Sequence, residues 1–152
     1  MKQLLRLIII TISFFLLSCK QSAEKLTLFQ LQTSTGINFN NKVEDQEYDN
    51  SFLFRNFYNG GGVAIGDINN DGLSDVLLTS NMGENKLYLN KGNLQFEDIT
   101  ARSGMRQDSM WSTGVMFVDI NNDGWLDIYV CNSGHMKTGH RKNKLYVSNK
   151  DL

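Results

Sequence analysis

The chain has 152 residues, with 15 basic and 16 acidic side chains and a formal net charge of −1, enough for one modest domain. So balanced a charge gives no reason to expect a nucleic acid, or an anionic membrane surface held by charge alone, as a partner. Proline is absent and glycine occurs 13 times, so the turns must depend on Gly, Asn and Asp.

Residues 1–18 have the composition of a secretion signal. Lys2 and Arg6 form a basic start, and an apolar run extends from residue 7 to residue 17. A run of 11 residues is too short for a comfortable membrane span. A plain N-terminal anchor is the alternative.

The four residues Leu16-Leu17-Ser18-Cys19 resemble the lipobox of bacterial lipoproteins. The resemblance implies cleavage before Cys19 and a diacylglycerol anchor on its thiol. Two or three acyl chains would hold a protein stably on a membrane. We therefore expect an exported lipoprotein of the cell envelope, in the outer membrane of a Gram-negative bacterium, with residues 19–25 as the lipidated cysteine and a polar tether.

Residues 26–59 are expected to form N-terminal strands and an irregular lead-in. The run from Leu26 to Leu31 predicts a strand, and the acidic stretch 44–49 predicts a solvated loop. Four aromatic side chains follow and are expected to pack against the rest of the fold: Phe52, Phe54, Phe57 and Tyr58.

Residues 60–104 read as one structural repeat made of four short strands. Glycine- and asparagine-rich connections separate the strands, as expected of tight antiparallel turns. Four antiparallel strands in a unit of about fifty residues are typical of a β-propeller blade, so the fold class is all-β. The predicted strands are Val63–Gly66, Val76–Thr79, Lys86–Leu89 and Leu94–Ile99.

Residues 105–152 read as a second, truncated copy. Its third strand, Lys144–Val147, lies 58 residues after its counterpart, whereas the segments before it repeat at 52, so six residues are inserted within 134–141. The earlier strands are predicted at Val115–Val118 and Ile128–Val130. Propellers typically need four to eight blades, so we interpret the chain as an N-terminal fragment with an incomplete ring.

A nine-residue segment, Asp67–Asp75, recurs as Asp119–Asp127. Each copy has side-chain oxygens at positions 1, 3, 5 and 9 and a glycine at position 6. Three carboxylates in one tight loop repel each other unless a cation lies between them. Calcium takes such oxygen ligands, with the position-7 carbonyl as a further one. An ordinary Asx turn is the alternative, which the second copy disfavours.

Val63–Asp75 and Val115–Asp127 resemble the FG-GAP, or VCBS-type, repeats of integrin-α-like propellers. Asn85–Asn90 and Phe96–Thr100 are similar to segments of large secreted bacterial proteins that often carry a C-terminal ASPIC/UnbV domain. The resemblance implies two structural Ca²⁺ sites. The implied ligands are Asp67, Asn69, Asp71, Leu73 (carbonyl) and Asp75 in the first loop, and Asp119, Asn121, Asp123, Trp125 (carbonyl) and Asp127 in the second.

Other metal sites have less support. An EF-hand needs a glutamate at position 12, where this chain has Leu78 and Val130. Cys131, His135 and His140 are three potential zinc ligands, whereas structural zinc sites generally need four. We interpret the two histidines as solvent-exposed.

We expect a non-enzymatic, calcium-binding propeller segment of a cell-surface lipoprotein, serving adhesion or the binding of a surface glycan or protein. Ser103, Ser109 and Ser112 lack His and Asp partners at suggestive spacing, so a nucleophilic triad is unsupported. Trp111 and Trp125 are interpreted as packing residues rather than sugar-stacking platforms. The alternatives are a scaffold within a polysaccharide-processing enzyme and a structural spacer for a missing C-terminal domain.

Overall fold

The computed structural model describes residues 27–105, 110–133 and 141–151. The predicted signal peptide, Cys19 and its tether, and most of the inserted segment of the second repeat lie outside these ranges. The chain divides into two units, Met1–Gln32 and Thr33–Leu152. The described residues contain seven β-strands and no helix, and no helix among them could cross a membrane.

The predicted strand at Leu26–Leu31 is wrong, because its described residues, 27–31, form no strand. The side chains of Leu28, Phe29 and Leu31 are between 85% and 89% exposed. A strand is stable only when a neighbour satisfies its backbone N–H and C=O groups. The apolar pattern alone does not show whether a segment has such a neighbour.

The first sheet contains four antiparallel strands in the order of the chain. One face of this sheet carries small and branched apolar side chains, because Ala64 pairs with Leu77 and Leu77 pairs with Leu87. This is the predicted four-stranded unit. The strands are β1 (Val63–Gly66), β2 (Asp75–Leu78), β3 (Lys86–Asn90) and β4 (Phe96–Asp98).

The second sheet repeats the first three strands of this arrangement. Its order is β5-β6-β7, again antiparallel throughout. The all-β fold class, with blade-like antiparallel sheets, is therefore confirmed. The strands are β5 (Trp111–Val118), β6 (Asp127–Ser133) and β7 (Lys144–Tyr146).

Two strands differ from their predicted bounds for reasons visible in the backbone. Strand β4 starts at Phe96 rather than Leu94 because Asn93 and Leu94 have φ angles of 51° and 57°, which an extended strand does not adopt. Strand β5 begins at Trp111, earlier than predicted. A bulge between Ser112 and Val115 lets the pairing with β6 extend upstream of the predicted start at Val115.

The two sheets pack face to face through β1 and β5. At Gly62 a Cβ atom would lie 2.5 Å from the Thr113 carbonyl oxygen, so only glycine permits this approach. The Thr79 hydroxyl donates to the same carbonyl at 2.5 Å. Gly62, just before β1, therefore sets the spacing of the two sheets at this point.

The core lies between the sheets. From the first sheet and its loops come Ala64, Ile68, Leu77, Leu87, Leu89 and Ile99, and from the second come Ile128 and Val130. Met105, Val115, Phe117, Leu126 and Tyr146 pack against this cluster.

The rest of the predicted lead-in, residues 33–59, contains no strand and is hydrogen-bonded to the first sheet. The Phe96 amide donates to the Thr35 carbonyl at 2.8 Å, and the Tyr88 hydroxyl donates to the Asn38 carbonyl at 2.7 Å. Its aromatic residues are less uniformly packed than the sequence predicted. Phe57 is buried, whereas Phe52 is 98% exposed.

Trp111 has the packing role expected of it. The centroid of its ring lies 5.6 Å from that of Phe54 and 5.1 Å from that of Phe57. Trp111 is only 9% exposed. Aromatic contacts of this kind add to the burial of apolar area. The contacts join the lead-in to the second sheet.

Equivalent positions in the two sheets differ sharply in exposure. Ala64, Leu77, Leu87 and Leu89 are buried against the second sheet, with exposures of 6% or less. Their counterparts in the second sheet are Met116, Tyr129, Leu145 and Val147. Of these, Met116 and Val147 are each 52% exposed and Leu145 is 44% exposed. Among the described residues, the second sheet therefore has a free apolar face equivalent to the one that the first sheet buries.

Substitution of Thr100 by valine is expected to lower the free energy of unfolding by about 1–3 kcal/mol. The Thr100 hydroxyl oxygen accepts the Leu87 amide at 3.0 Å and donates to Asp98 at 2.6 Å. Valine keeps the shape but leaves that buried N–H without an acceptor. Urea denaturation measures the change. Thr33→Val, at an exposed position, is the matched control, and equal losses in the two variants would contradict the assignment.

Candidate metal sites

The first loop, between β1 and β2, is closed by its own carboxylates. Asp67 accepts the Asp71 amide on Oδ1 at 3.0 Å and the Gly72 amide on Oδ2 at 2.8 Å. Asn69 accepts the Asp71 amide at 3.2 Å and donates its own side-chain amide to Asp71 Oδ2 at 3.0 Å. Asp71 Oδ1 accepts the Leu73 amide at 2.8 Å. Positions 1, 3 and 5 therefore lie together on one turn.

The second loop, between β5 and β6, has the same bonds at equivalent atoms. Asp119 accepts the amides of Asp123 and Gly124 at 3.0 and 2.8 Å. Asn121 accepts the Asp123 amide at 3.1 Å and donates to Asp123 Oδ2 at 3.0 Å. Asp123 Oδ1 accepts the Trp125 amide at 3.0 Å. Because two separate segments adopt one geometry, the local sequence determines the loop.

The backbone of both loops passes twice through the left-handed region. Asn70 and Gly72 have φ angles of 58° and 85°. Asn122 and Gly124 have φ angles of 59° and 82°. Asparagine and glycine adopt this conformation more readily than other residues, which explains their positions 4 and 6 in each copy.

The aspartate at position 9 connects each loop to a later strand. Asp75 is fully buried and accepts the Ile68 amide at 2.9 Å and the Asn90 amide at 2.8 Å. Asp127 accepts the amides of Ile120 and Ser148 at 3.1 and 2.8 Å. These carboxylates therefore tie the loop to the end of β3 and to the segment that follows β7.

Burial raises the pKa of the Asp75 carboxyl above its ordinary value, and the nearby Asp71 and Asp67 carboxylates add to the rise. The hydrogen bonds from the Asn90 and Ile68 amides act in the opposite direction. The first loop thus concentrates negative charge beside a desolvated carboxyl, an arrangement that a bound cation would relieve.

The predicted carbonyl ligands at position 7, those of Leu73 and Trp125, accept no hydrogen bond from the part of the chain that the structure describes. Leu73 is 36% exposed, so its carbonyl belongs to an accessible part of the loop. Trp125 is half-buried.

Whether these residues fit a calcium ion depends on the donor set. Within the described ranges no group of three or more His, Cys, Asp or Glu side chains lies close enough to hold a metal ion. Each loop, however, would also supply an asparagine side-chain oxygen and a backbone carbonyl oxygen, and a group of His, Cys, Asp and Glu side chains does not include these two ligand types. A carboxylate oxygen that accepts one N–H also retains lone pairs for a metal. The hard, oxygen-only donors fit calcium rather than zinc.

The two loops touch each other. The Asn70 side-chain amide donates to the Gly124 carbonyl at 3.1 Å. This bond joins position 4 of the first loop to the glycine at position 6 of the second. Among the described residues the Asn122 side chain, at the equivalent position, makes no hydrogen bond. This contact was not predicted, and no spacing rule within one repeat could reveal it.

The second loop carries one charge that the first lacks. Lys150 Nζ lies 3.1 Å from Asp123 Oδ2. This hydrogen bond is the main reason that the pKa of the Asp123 carboxyl is below its ordinary value. Sequence reasoning overlooked Lys150, although aligning the third strands of the two repeats pairs it with Gly92.

The remaining candidate chemistry has structural explanations. Leu78 lies in β2 and Val130 in β6, as expected if neither loop is an EF-hand. Ser103 donates to the Thr100 carbonyl and Ser112 to Asn132 Oδ1. Cys131 is a free, half-buried thiol. Ser109, His135 and His140 lie outside the described residues.

Residues 67–130 match the family model of the FG-GAP-like repeat. The match runs from the first residue of the first loop to the strand after the second loop, so it includes both candidate metal sites. The resemblance inferred from the motif is thus supported for the repeat itself.

The chain is also similar to cartilage acidic protein 1 from three vertebrates. It is 39% identical to the Xenopus tropicalis protein over 74 residues, and 36% identical to the mouse protein over 69 and to the human protein over 72. The alignments cover 48%, 45% and 47% of this chain. They cover 11% of each relative, so the chain corresponds to a small part of those proteins.

When a calcium chelator is present, Asp75→Asn is expected to lower the free energy of unfolding by about 1–3 kcal/mol. An amide has one acceptor oxygen, so either the Ile68 or the Asn90 amide would face an NH₂ group. Asp71→Asn, in the exposed part of the same loop, should change stability by less than about 0.5 kcal/mol. Denaturant titration compares the two variants. Equal effects would show that Asp75 does not have the anchoring role described.

Proposed function

We propose that the chain is a non-enzymatic, calcium-stabilised segment of a β-propeller, carried by an exported lipoprotein and used to bind a surface ligand. The observation that supports calcium binding is the duplication of one loop geometry at the same inter-strand turn of two FG-GAP-like repeats. Calcium would be held by Asp67, Asn69, Asp71, Asp75 and the Leu73 carbonyl, and by the five equivalents in the second loop.

The role of calcium would be structural. Each loop connects the first two strands of a sheet. Its position-9 aspartate is already bonded to the end of the third strand in the first sheet and to the segment just after the third strand in the second. An ion bound by positions 1, 3 and 5 as well would therefore clamp three strands together. Extracellular modules often bind calcium with dissociation constants of about 0.1–1 mM, which suits an exported protein.

Further repeats would complete the propeller. The free face of the second sheet has the same positions that the first sheet buries. A third repeat packed there in the same way would cover Met116, Leu145 and Val147. Such packing proceeds head to tail, as in other repeat architectures.

A hydrophilic ligand, such as a glycan or a protein loop, has a candidate surface away from the metal loops. A cavity of about 380 Å³ near the β2–β3 turn is lined by Asn40, Lys42, Glu44, Gln46, Met82 and Gly83. Its side chains offer both hydrogen-bond donors and acceptors. Glycan-array binding by the protein, reduced by Gln46→Ala, would support this assignment, whereas binding unaffected by changes in this cavity would contradict it.

Calcium is expected to raise the melting temperature, and calorimetric titration should show two bound ions. Asp71→Ala and Asp123→Ala should each remove one ion, because position 5 supplies a carboxylate ligand to its own loop only. At calcium tenfold above the dissociation constant, each site would contribute about 1.4 kcal/mol.

Glu47→Ala, an acidic position outside both loops, is the matched control and should retain both ions. Magnesium at equal ionic strength tests whether the effect is one of charge screening. Titration without heat, together with an unchanged melting temperature, would refute calcium binding.

Lipidation is tested separately. Cys19→Ser should abolish incorporation of labelled fatty acid and move the protein from the membrane fraction to the soluble fraction, because the thiol that would carry the diacylglycerol is gone. Cys131→Ser should change neither. Equal labelling of wild type and Cys19→Ser would contradict a lipid anchor at this residue.

A further inference from the structure

One of the differences between the two repeats lies in the segment that follows the third strand and bears on the metal loops. Strand β7 follows β3 at an offset of 58 residues, so Lys150 is the counterpart of Gly92. Both have positive φ angles, 65° for Lys150 and 82° for Gly92. Their amides make equivalent turn bonds, to Ser148 Oγ at 3.2 Å and Asn90 Oδ1 at 2.9 Å. The backbone of the first repeat is therefore preserved, although lysine is disfavoured in this conformation.

The lysine brings a positive charge to the second loop. Its Nζ lies 3.1 Å from Oδ2 of Asp123, at loop position 5. Among the described residues no basic side chain pairs with Asp71, the equivalent aspartate of the first loop. One loop thus has an internal cation at a carboxylate that calcium would use, and the other does not.

We propose that Lys150 is an internal counter-cation that makes the second loop the weaker calcium site, so that the first loop fills first. This inference rests on the proposed calcium-binding function. A calcium ion at the second loop must either displace the ammonium group from Asp123 or bind a few ångströms from it, and like charges at that distance repel. The Lys150 side chain is 46% exposed, so solvent and salt screen part of the repulsion.

The expected effect is a difference of about threefold to tenfold in calcium dissociation constant between loops. Variants that change the charge of Lys150 are compared with variants that keep it, so that the effect of the charge is separated from that of the backbone conformation.

Each loop is isolated by disabling the other. In the Asp71→Ala background only the second loop remains, and Lys150→Gln should tighten its calcium binding about threefold to tenfold. Lys150→Arg should retain the weak binding, because it keeps the charge. Lys91→Gln is the net-charge control and should leave the second loop unchanged. In the Asp123→Ala background, Gly92→Lys should weaken the first loop by a similar factor.

Calorimetric titration at low salt supplies the dissociation constants, and repetition at high salt should reduce the Lys150→Gln effect. Equal constants for Lys150→Gln and Lys91→Gln in the Asp71→Ala background would overturn the inference while leaving calcium binding in place. If neither single-loop background bound calcium, both the inference and the proposed function would fail.

Discussion

The buried aspartate at loop position 9 is the interaction on which the arrangement of each sheet depends. Burying a carboxylate is costly unless its oxygens accept hydrogen bonds. Asp75 meets this requirement with two backbone amides, one in its own loop and one at the end of β3. Because a charged acceptor strengthens such bonds, one side chain fixes the loop, the start of β2 and the end of β3 together. Asp127 repeats the arrangement in the second sheet.

Much of this architecture could be predicted from the sequence because its signals are local. The Asp-Asn-Asp-Gly spacing specifies a turn whose hydrogen bonds are made within nine residues, and the structure shows the same bonds in both copies. Strand β1 has its predicted bounds. Where the prediction was wrong, the missing information was non-local. Residues 27–31 have a strand-like pattern but form no strand among the described residues, and Phe52 is aromatic but exposed.

The candidate site shows the same division. Side-chain ligands at fixed spacing follow from the motif, whereas the charge that distinguishes the two loops comes from Lys150, 27 residues after Asp123. The bond between Asn70 and Gly124 joins residues 54 apart. Neither contact can be inferred from the loop motif alone, because each depends on how separate segments are brought together. Comparing the two repeats position by position does expose Lys150 as the exception to the Gly92 pattern.

The hydrogen bond from Asn70 to Gly124 runs from the loop of one repeat to the loop of the next repeat along the chain. Each asparagine at position 4 can donate to the position-6 glycine of the next repeat. Among the described residues the Asn122 side-chain amide makes no hydrogen bond. In a ring of such repeats these hydrogen bonds would couple each loop to its nearest neighbour. A loop in its folded conformation would then favour the folded conformation of the next loop. The stability of one loop would then depend on the state of its neighbours, and the ring would melt as a linked series rather than as independent blades.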